Sequence, residues 1–213
     1  GLVFLILIPF WNFKLPKKKY FKSLIFFSIS MGVMVYVFMN LSLYHSSIIS
    51  PIIMGSQLAI PFGIMASALI LKENISKKKW VLIFTSFLGI FIIFFDPDLT
   101  KNLLGLFFAS LMALFFGLAQ VYSRYLKELD VSLINLSTGI FGFVILIMIS
   151  FFLEGDTINN FKNISFNSWS LIFYQAIIVS LCAHLLMFYL YKFYTVGKIF
   201  PFYSLFPIFG ISL

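Results

Sequence analysis

Charge is what this sequence has least of. Only 10% of its 213 residues are charged, against about 25% in a soluble domain. By contrast 62% are hydrophobic, 20% are aromatic, and the mean hydropathy is +1.06. No water-soluble core hides that much apolar side chain, so lipid is the solvent for most of the chain. Cysteine is nearly absent too. Cys182 stands alone inside an apolar run, which excludes a disulfide framework and any Cys/His metal spacing. There is no phosphate loop, no zinc-type histidine spacing and no nucleophile–base–acid set, so neither an enzyme, a cofactor nor a metal is expected. None of the seven acidic residues falls in the middle of an apolar run, and the usual intramembrane carboxylate relay is therefore missing.

What the chain does have is a succession of apolar segments. Ser23–Tyr44, Ile48–Leu71, Trp80–Phe95, Asn102–Tyr122, Val131–Leu153 and Ser168–Tyr191 read as membrane spans, near the roughly 20 residues a crossing requires. Asp96-Pro97-Asp98 ends the third of them, because proline cannot continue a helix and biases its predecessor away from the helical region. Gly1–Phe10 and Ile199–Leu213 are too short to cross and read as parts of helices cut at both ends. No charged segment precedes the apolar start, so a signal peptide is not expected. The predicted fold is an all-α polytopic membrane protein.

The net charge of +8 is clumped in short loops between these segments. The loops near residues 14–22, 72–79, 124–127 and 192–198 hold 13 of the 15 lysines and arginines. The alternate loops keep only Lys101 and Lys162, together with Asp96, Asp98, Glu154 and Asp156. Such an asymmetry orients a polytopic chain with its basic loops in the cytoplasm. These lysines then face the anionic leaflet of the plasma (inner) membrane, and nucleic acid is not an expected partner.

Two stretches share a pattern. Tyr44-x6-Pro51 recurs 150 residues later as Tyr194-x6-Pro201. The first copy contains a turn on the lysine-poor side, around His45, and the second a turn on the lysine-rich side, around Thr195. Five helices separate them, an odd number, so the second copy is expected upside down. Inverted repeats of this kind are a common build for secondary transporters, with the substrate site near the midplane.

Polar groups inside the spans are the candidate site. Tyr36, Asn40 and Tyr44 fall at i, i+4 and i+8 on one helix face. Gln57, Gln120, Gln175 and Asn135 are amides at or near apolar segments, and His184 is the titratable group placed deepest in one. A cavity-lining set of Tyr36, Asn40, Gln57, Gln120 and His184 is one reading, because polar groups in hydrocarbon point to protein or water. Simple helix–helix hydrogen bonds are the other. Pro51, Pro61, Pro201 and Pro207 are hinge or kink positions, in packing alone or in shaping a cavity.

Several of these stretches resemble the EamA-type branch of the drug/metabolite transporter superfamily. The matching residues are Leu41-Ser-Leu-Tyr44, Ser56-Gln-Leu-Ala-Ile-Pro-Phe62 and Leu69-Ile-Leu-Lys-Glu73, with Gly105–Lys127 similar to the opening helix of a second repeat. The resemblance implies ten helices as two inverted five-helix repeats, about eight of them represented here and the first and last of these partial. Residues 1–98 would be the first repeat, without its first helix and part of its second. Residues 102–213 would be the second, without part of its fourth helix and its last. The implied function is secondary transport of a small organic metabolite. A membrane enzyme acting on a lipid-linked substrate and a non-transporting scaffold are the alternatives. A homodimer is left open.

The charge asymmetry gives a direct test of orientation. With Cys182 removed, cysteines at Lys18, Lys78 or Lys127 should resist an impermeant thiol reagent applied outside intact cells, and cysteines at Asp98 or Asn160 should react. The opposite labelling pattern would refute the orientation.

Overall fold

The computed structural model of the chain describes Pro9 and residues 16–47, 49–93, 102–153 and 164–205. Among these described residues all regular structure is helical. Lys18–Ile29 (α1) runs through a π-helical stretch, Ser30–Met34, into Val35–Tyr44 (α2). Ser50–Ser56 (α3), Ala59–Ile70 (α4) and Lys77–Ile93 (α5) follow, then Leu103–Tyr125 (α6) and Val131–Leu153 (α7). Phe166–Tyr174 (α8) continues through a second π-helical stretch, Gln175–Ala183, into His184–Phe193 (α9). The short Val196–Ile199 (α10) leads into a 3-10 turn at Phe200–Leu205.

Among the described residues five stretches are long and apolar enough to cross a membrane: Lys18–Tyr44, Ile52–Ile70, Leu103–Tyr125, Val131–Leu153 and Phe166–Phe193. The protein is an all-α, multi-pass membrane protein. The expected span Val131–Leu153 has the observed bounds, while the one expected from Ser23 begins at Lys18. Lysines belong to that helix end because their methylene stems lie along the apolar surface while the ammonium reaches water. The segment expected as one span, Ile48–Leu71, is divided between α3 and α4. The expected turn at Asp96–Asp98, the loop around Glu154 and the terminal apolar pieces fall outside the described residues.

The chain gathers into two compact units. One comprises the chain up to Val33 with Leu126–Phe193, the other Met34–Tyr125 with the chain from Tyr194 onward. Each unit draws on both sides of residue 100, so compactness does not follow the sequence halves.

In the first unit the π-helical stretch that follows α1 crosses α7 at bare backbone. A methyl group on Gly32 would lie 2.8 Å from the Thr138 carbonyl oxygen, and one on Gly142 would lie 2.8 Å from the Gly32 carbonyl oxygen. Small residues at a helix crossing give dispersion contact where no hydrophobic drive separates protein from lipid. Near the crossing the Ser28 hydroxyl donates to the Ser137 hydroxyl at 3.1 Å, and Phe27 meets the edge of Phe188 with centroids 5.6 Å apart. Toward the lysine-rich end Tyr20 donates to the Glu128 carboxylate, and Lys19 lies 4.0 Å from the same group. The tyrosine hydrogen bond first, and Lys19 second, hold Glu128 below the ordinary glutamate range.

The second unit is built around α6. Gly105, Ala109, Ala113 and Gly117 recur every fourth residue and are all buried, making one continuous small-residue stripe. α2 packs antiparallel to α6: the Ser42 hydroxyl donates to the Gly105 carbonyl at 2.6 Å, and Phe38 stacks between Phe108 and Phe115 at 6.2 and 5.5 Å. α3 and α4 run parallel to it, Gly55 meeting Ala109 and Gly63 meeting Gly117. Both pairs have the same offset, so one register persists along the whole contact. These directions agree with the alternation that the lysine-rich loops demand.

A methyl group on Gly117 would come within 2.8 Å of both the Ala59 carbonyl oxygen and the Gly63 nitrogen. Neither atom belongs to a side chain that can turn away. Gly117→Ala should therefore destabilise the folded protein by about 1–3 kcal/mol, the usual cost of overpacking. Gly89 on α5 has nothing within 4 Å of that position, so Gly89→Ala should be neutral or stabilising by up to about 1 kcal/mol. Thermal unfolding of the purified variants in detergent checks both, and equal shifts for the two would refute the seam.

Candidate functional site

α3 and α4 are one apolar segment broken by a proline. Pro61 has no N–H, and its ring crowds the carbonyl four residues earlier, which belongs to Gln57. The Gln57 carbonyl accepts instead from the Ile60 N–H at 3.2 Å. The preceding turn tightens in the same way: Gln57 N–H donates to Met54 O and Leu58 N–H to Gly55 O, both at 3.1 Å. Regular i→i−4 bonding resumes with Phe62 N–H donating to Leu58 O at 3.0 Å. Gln57 thus sits at the break, half-buried. Pro51 occupies the start of α3, where its missing N–H would have no helical partner anyway. Such an interruption at membrane depth needs a protein or cavity surround.

α6 supplies the second polar element. Gln120 is buried (5% exposed) one turn beyond Gly117. Ser123 is 4% exposed, and its hydroxyl has no hydrogen-bond partner among the described residues. A buried hydroxyl without a partner is uncommon. In the shared register Gln57 and Gln120 stand about nine residues apart along parallel helices, or about 13 Å at 1.5 Å per residue. They occupy different depths of one helix pair.

The remaining candidates divide. Tyr36 is half-buried, whereas Asn40 is exposed and donates to the Tyr36 carbonyl at 2.9 Å, a bond within its own helix. α2 turns Phe38 and Ser42 toward α6, and Tyr44 remains 83% exposed. His184 is half-buried at the start of α9 and belongs to the other compact unit. Asn135 bonds within α7, to Val131 O at 3.2 Å, and Gln175 is exposed. Pro61 is buried, Pro201 lies near the start of the 3-10 turn, and Pro207 falls outside the described residues. Among the described residues no group of His, Cys, Asp and Glu could hold a metal ion.

Both copies of the Tyr-x6-Pro pattern lie in the second unit, each fastened at its turn. At the first, the side-chain oxygen Oδ1 of buried Asn102 accepts from Ser47 N–H at 2.8 Å and from the Ser47 hydroxyl at 3.0 Å. At the second, Glu73 Oε1 accepts from Val196 N–H at 3.4 Å, and Lys79 Nζ donates to the Gly197 carbonyl at 2.8 Å. Beyond that turn Phe200 covers Gly63, and Phe116 meets Phe200 and Tyr203 at 5.8 and 5.4 Å.

The model of the EamA-like transporter family matches residues 103–213, just over half of the chain. The chain belongs to the EamA-like transporter family. No curated protein and no solved structure matches it. The match falls on the half with fewer of the motifs quoted above, and it begins at α6. EamA proteins are membrane transporters within the drug/metabolite transporter superfamily, which agrees with the multi-pass fold.

Three features of this EamA chain escaped the sequence reading. The small-residue stripe of α6 is visible as a four-residue period, but Phe-rich surroundings conceal it. Asn102 and Lys79 carry no motif at all; only their partners across the fold reveal them.

The proline break is itself testable. Pro61→Ala restores a donor for the Gln57 carbonyl, so α3 and α4 should fuse into one straight helix. Spin labels at Met54 and Leu69, both exposed, should then report a changed, narrower distance distribution. An unchanged distribution would show that packing rather than Pro61 maintains the break.

Proposed function

We propose that this EamA protein is a secondary transporter, a permease or exporter of a small organic metabolite, working by alternating access between two inverted repeats. Membership of a transporter family supports the activity. The observation that carries the mechanism is the proline-broken helix pair α3/α4 beside buried Gln120 and Ser123. Discontinuous helices are where transporters free backbone groups for a substrate near the midplane. Gln57, Gln120 and Tyr36 would line that route, with Ser123 toward its lysine-rich end. The amides and hydroxyls favour an uncharged or zwitterionic substrate held by hydrogen bonds, since no carboxylate or lysine stands among them. The lysine-rich loops would face the cytoplasm at the plasma membrane, against anionic lipid.

Counterflow in proteoliposomes tests the reading. Purified protein should exchange at least one labelled pool of small polar metabolites faster than protein-free liposomes. Gln57→Leu and Gln120→Leu should each lower that flux about tenfold, as expected for one lost hydrogen bond in a dry site, with helicity and insertion unchanged. Exchange at the protein-free rate for every pool would refute it.

A further inference from the structure

The turn from Thr195 to Phe200 is held from outside its own segment by two charged side chains. Glu73 takes the first N–H of α10, Val196, which has no partner within the helix. Lys79 takes the carbonyl of the next residue, Gly197. Val196 and Gly197 are buried, while Glu73 and Lys79 are half-buried. Donor and acceptor of neighbouring peptide groups are thus occupied by an acid from the loop after α4 and a base from the first turn of α5, into which that loop leads.

That loop is strained to bring them there. Leu71 and Glu73 both donate to the Ser67 carbonyl, at 3.0 and 3.3 Å, closing the end of α4 on one shared acceptor. Its left-handed position, ordinarily glycine, is Lys72 with φ 54°. A residue with a Cβ there costs about 1 kcal/mol or more. The strain fixes the direction in which Glu73 leaves the helix. Strained backbone of this kind is found at clamps and switch segments among other sites.

The two fastenings of the repeated turns also differ in kind. The lysine-poor turn is tied by the neutral Asn102, the lysine-rich turn by full charges. Charge-assisted bonds at a half-wet site release and re-form with water as the alternative partner.

We infer that Glu73 and Lys79 form a releasable clasp on the Thr195–Phe200 turn, making them positioning residues that close the lysine-rich end of the transport route. Release would free Val196 and Gly197 from α4 and α5 and lift the Phe200 ring from Gly63. This inference rests on the alternating-access reading, and the two can fail separately.

The test uses the full chain in nanodiscs, where both ends are accessible, with Cys182→Ser as background. The rate of reaction with a sulfonated maleimide is measured for Val196→Cys and, separately, for Ser47→Cys at the opposite turn. Lys79→Met and Glu73→Ala should each speed labelling of Val196→Cys about tenfold and slow that of Ser47→Cys. Glu73→Gln keeps an acceptor oxygen and should fall between. An unchanged rate at Val196→Cys in both variants would overturn the clasp. A faster rate there with no change at Ser47→Cys would leave the clasp standing and overturn alternating access. Ala113→Cys, fully buried in the seam, reports general loosening. If it too labels faster, Glu73 and Lys79 are only structural and the proposal fails.

Discussion

The second unit depends on the close approach of backbones along α6. Gly105, Ala109, Ala113 and Gly117 present almost no side chain, so α2, α3 and α4 reach the helix surface itself. In lipid this matters more than in water, because hydrocarbon outside the protein is as apolar as leucine inside it. Packing density and small polar contacts then decide which faces meet. The Ser42–Gly105 hydrogen bond and the phenylalanine stack on Phe38 add to that seam, and the parallel register of Gly55 and Gly63 follows from it.

The seam also makes the proline break tolerable. A helix interrupted in hydrocarbon leaves polar backbone that lipid cannot satisfy. α3 and α4 are covered by α6 on both sides of the interruption, so the turn at Gln57 is half-buried against protein. The local 3-10-type bonds around it keep its carbonyls occupied but weakly committed. Rigid packing on either side of a soft joint is a physical basis for movement confined to that joint.

At both ends of this assembly polar side chains from elsewhere in the chain fasten a turn. Asn102 does so at the start of α6, and Glu73 with Lys79 after the end of α4. The first unit has its own anchor at the lysine-rich level, where Tyr20 and Lys19 share Glu128. Apolar helices settle depth and direction, and the few charges outside them settle where the ends are tied.

The sequence by itself determined the solvent, the helical class, the approximate spans and the alternation of basic loops. Hydrophobicity and charge act locally, residue by residue, and can be summed along a chain. α7 was legible to its last residue for that reason. The division of Ile48–Leu71 was half legible: Pro61 announced a kink, but its consequence falls on the carbonyl of Gln57, one turn upstream. The candidate site was legible as a set of polar residue types and no further. That Asn40 bonds its own helix while Gln120 is buried depends on which face each helix turns inward, and a helix that is apolar all round does not disclose this. Only the tertiary structure decided those faces, because close packing between small residues far apart in sequence selects them. The same holds for Asn102, Glu73 and Lys79, whose partners lie 55, 123 and 118 residues away.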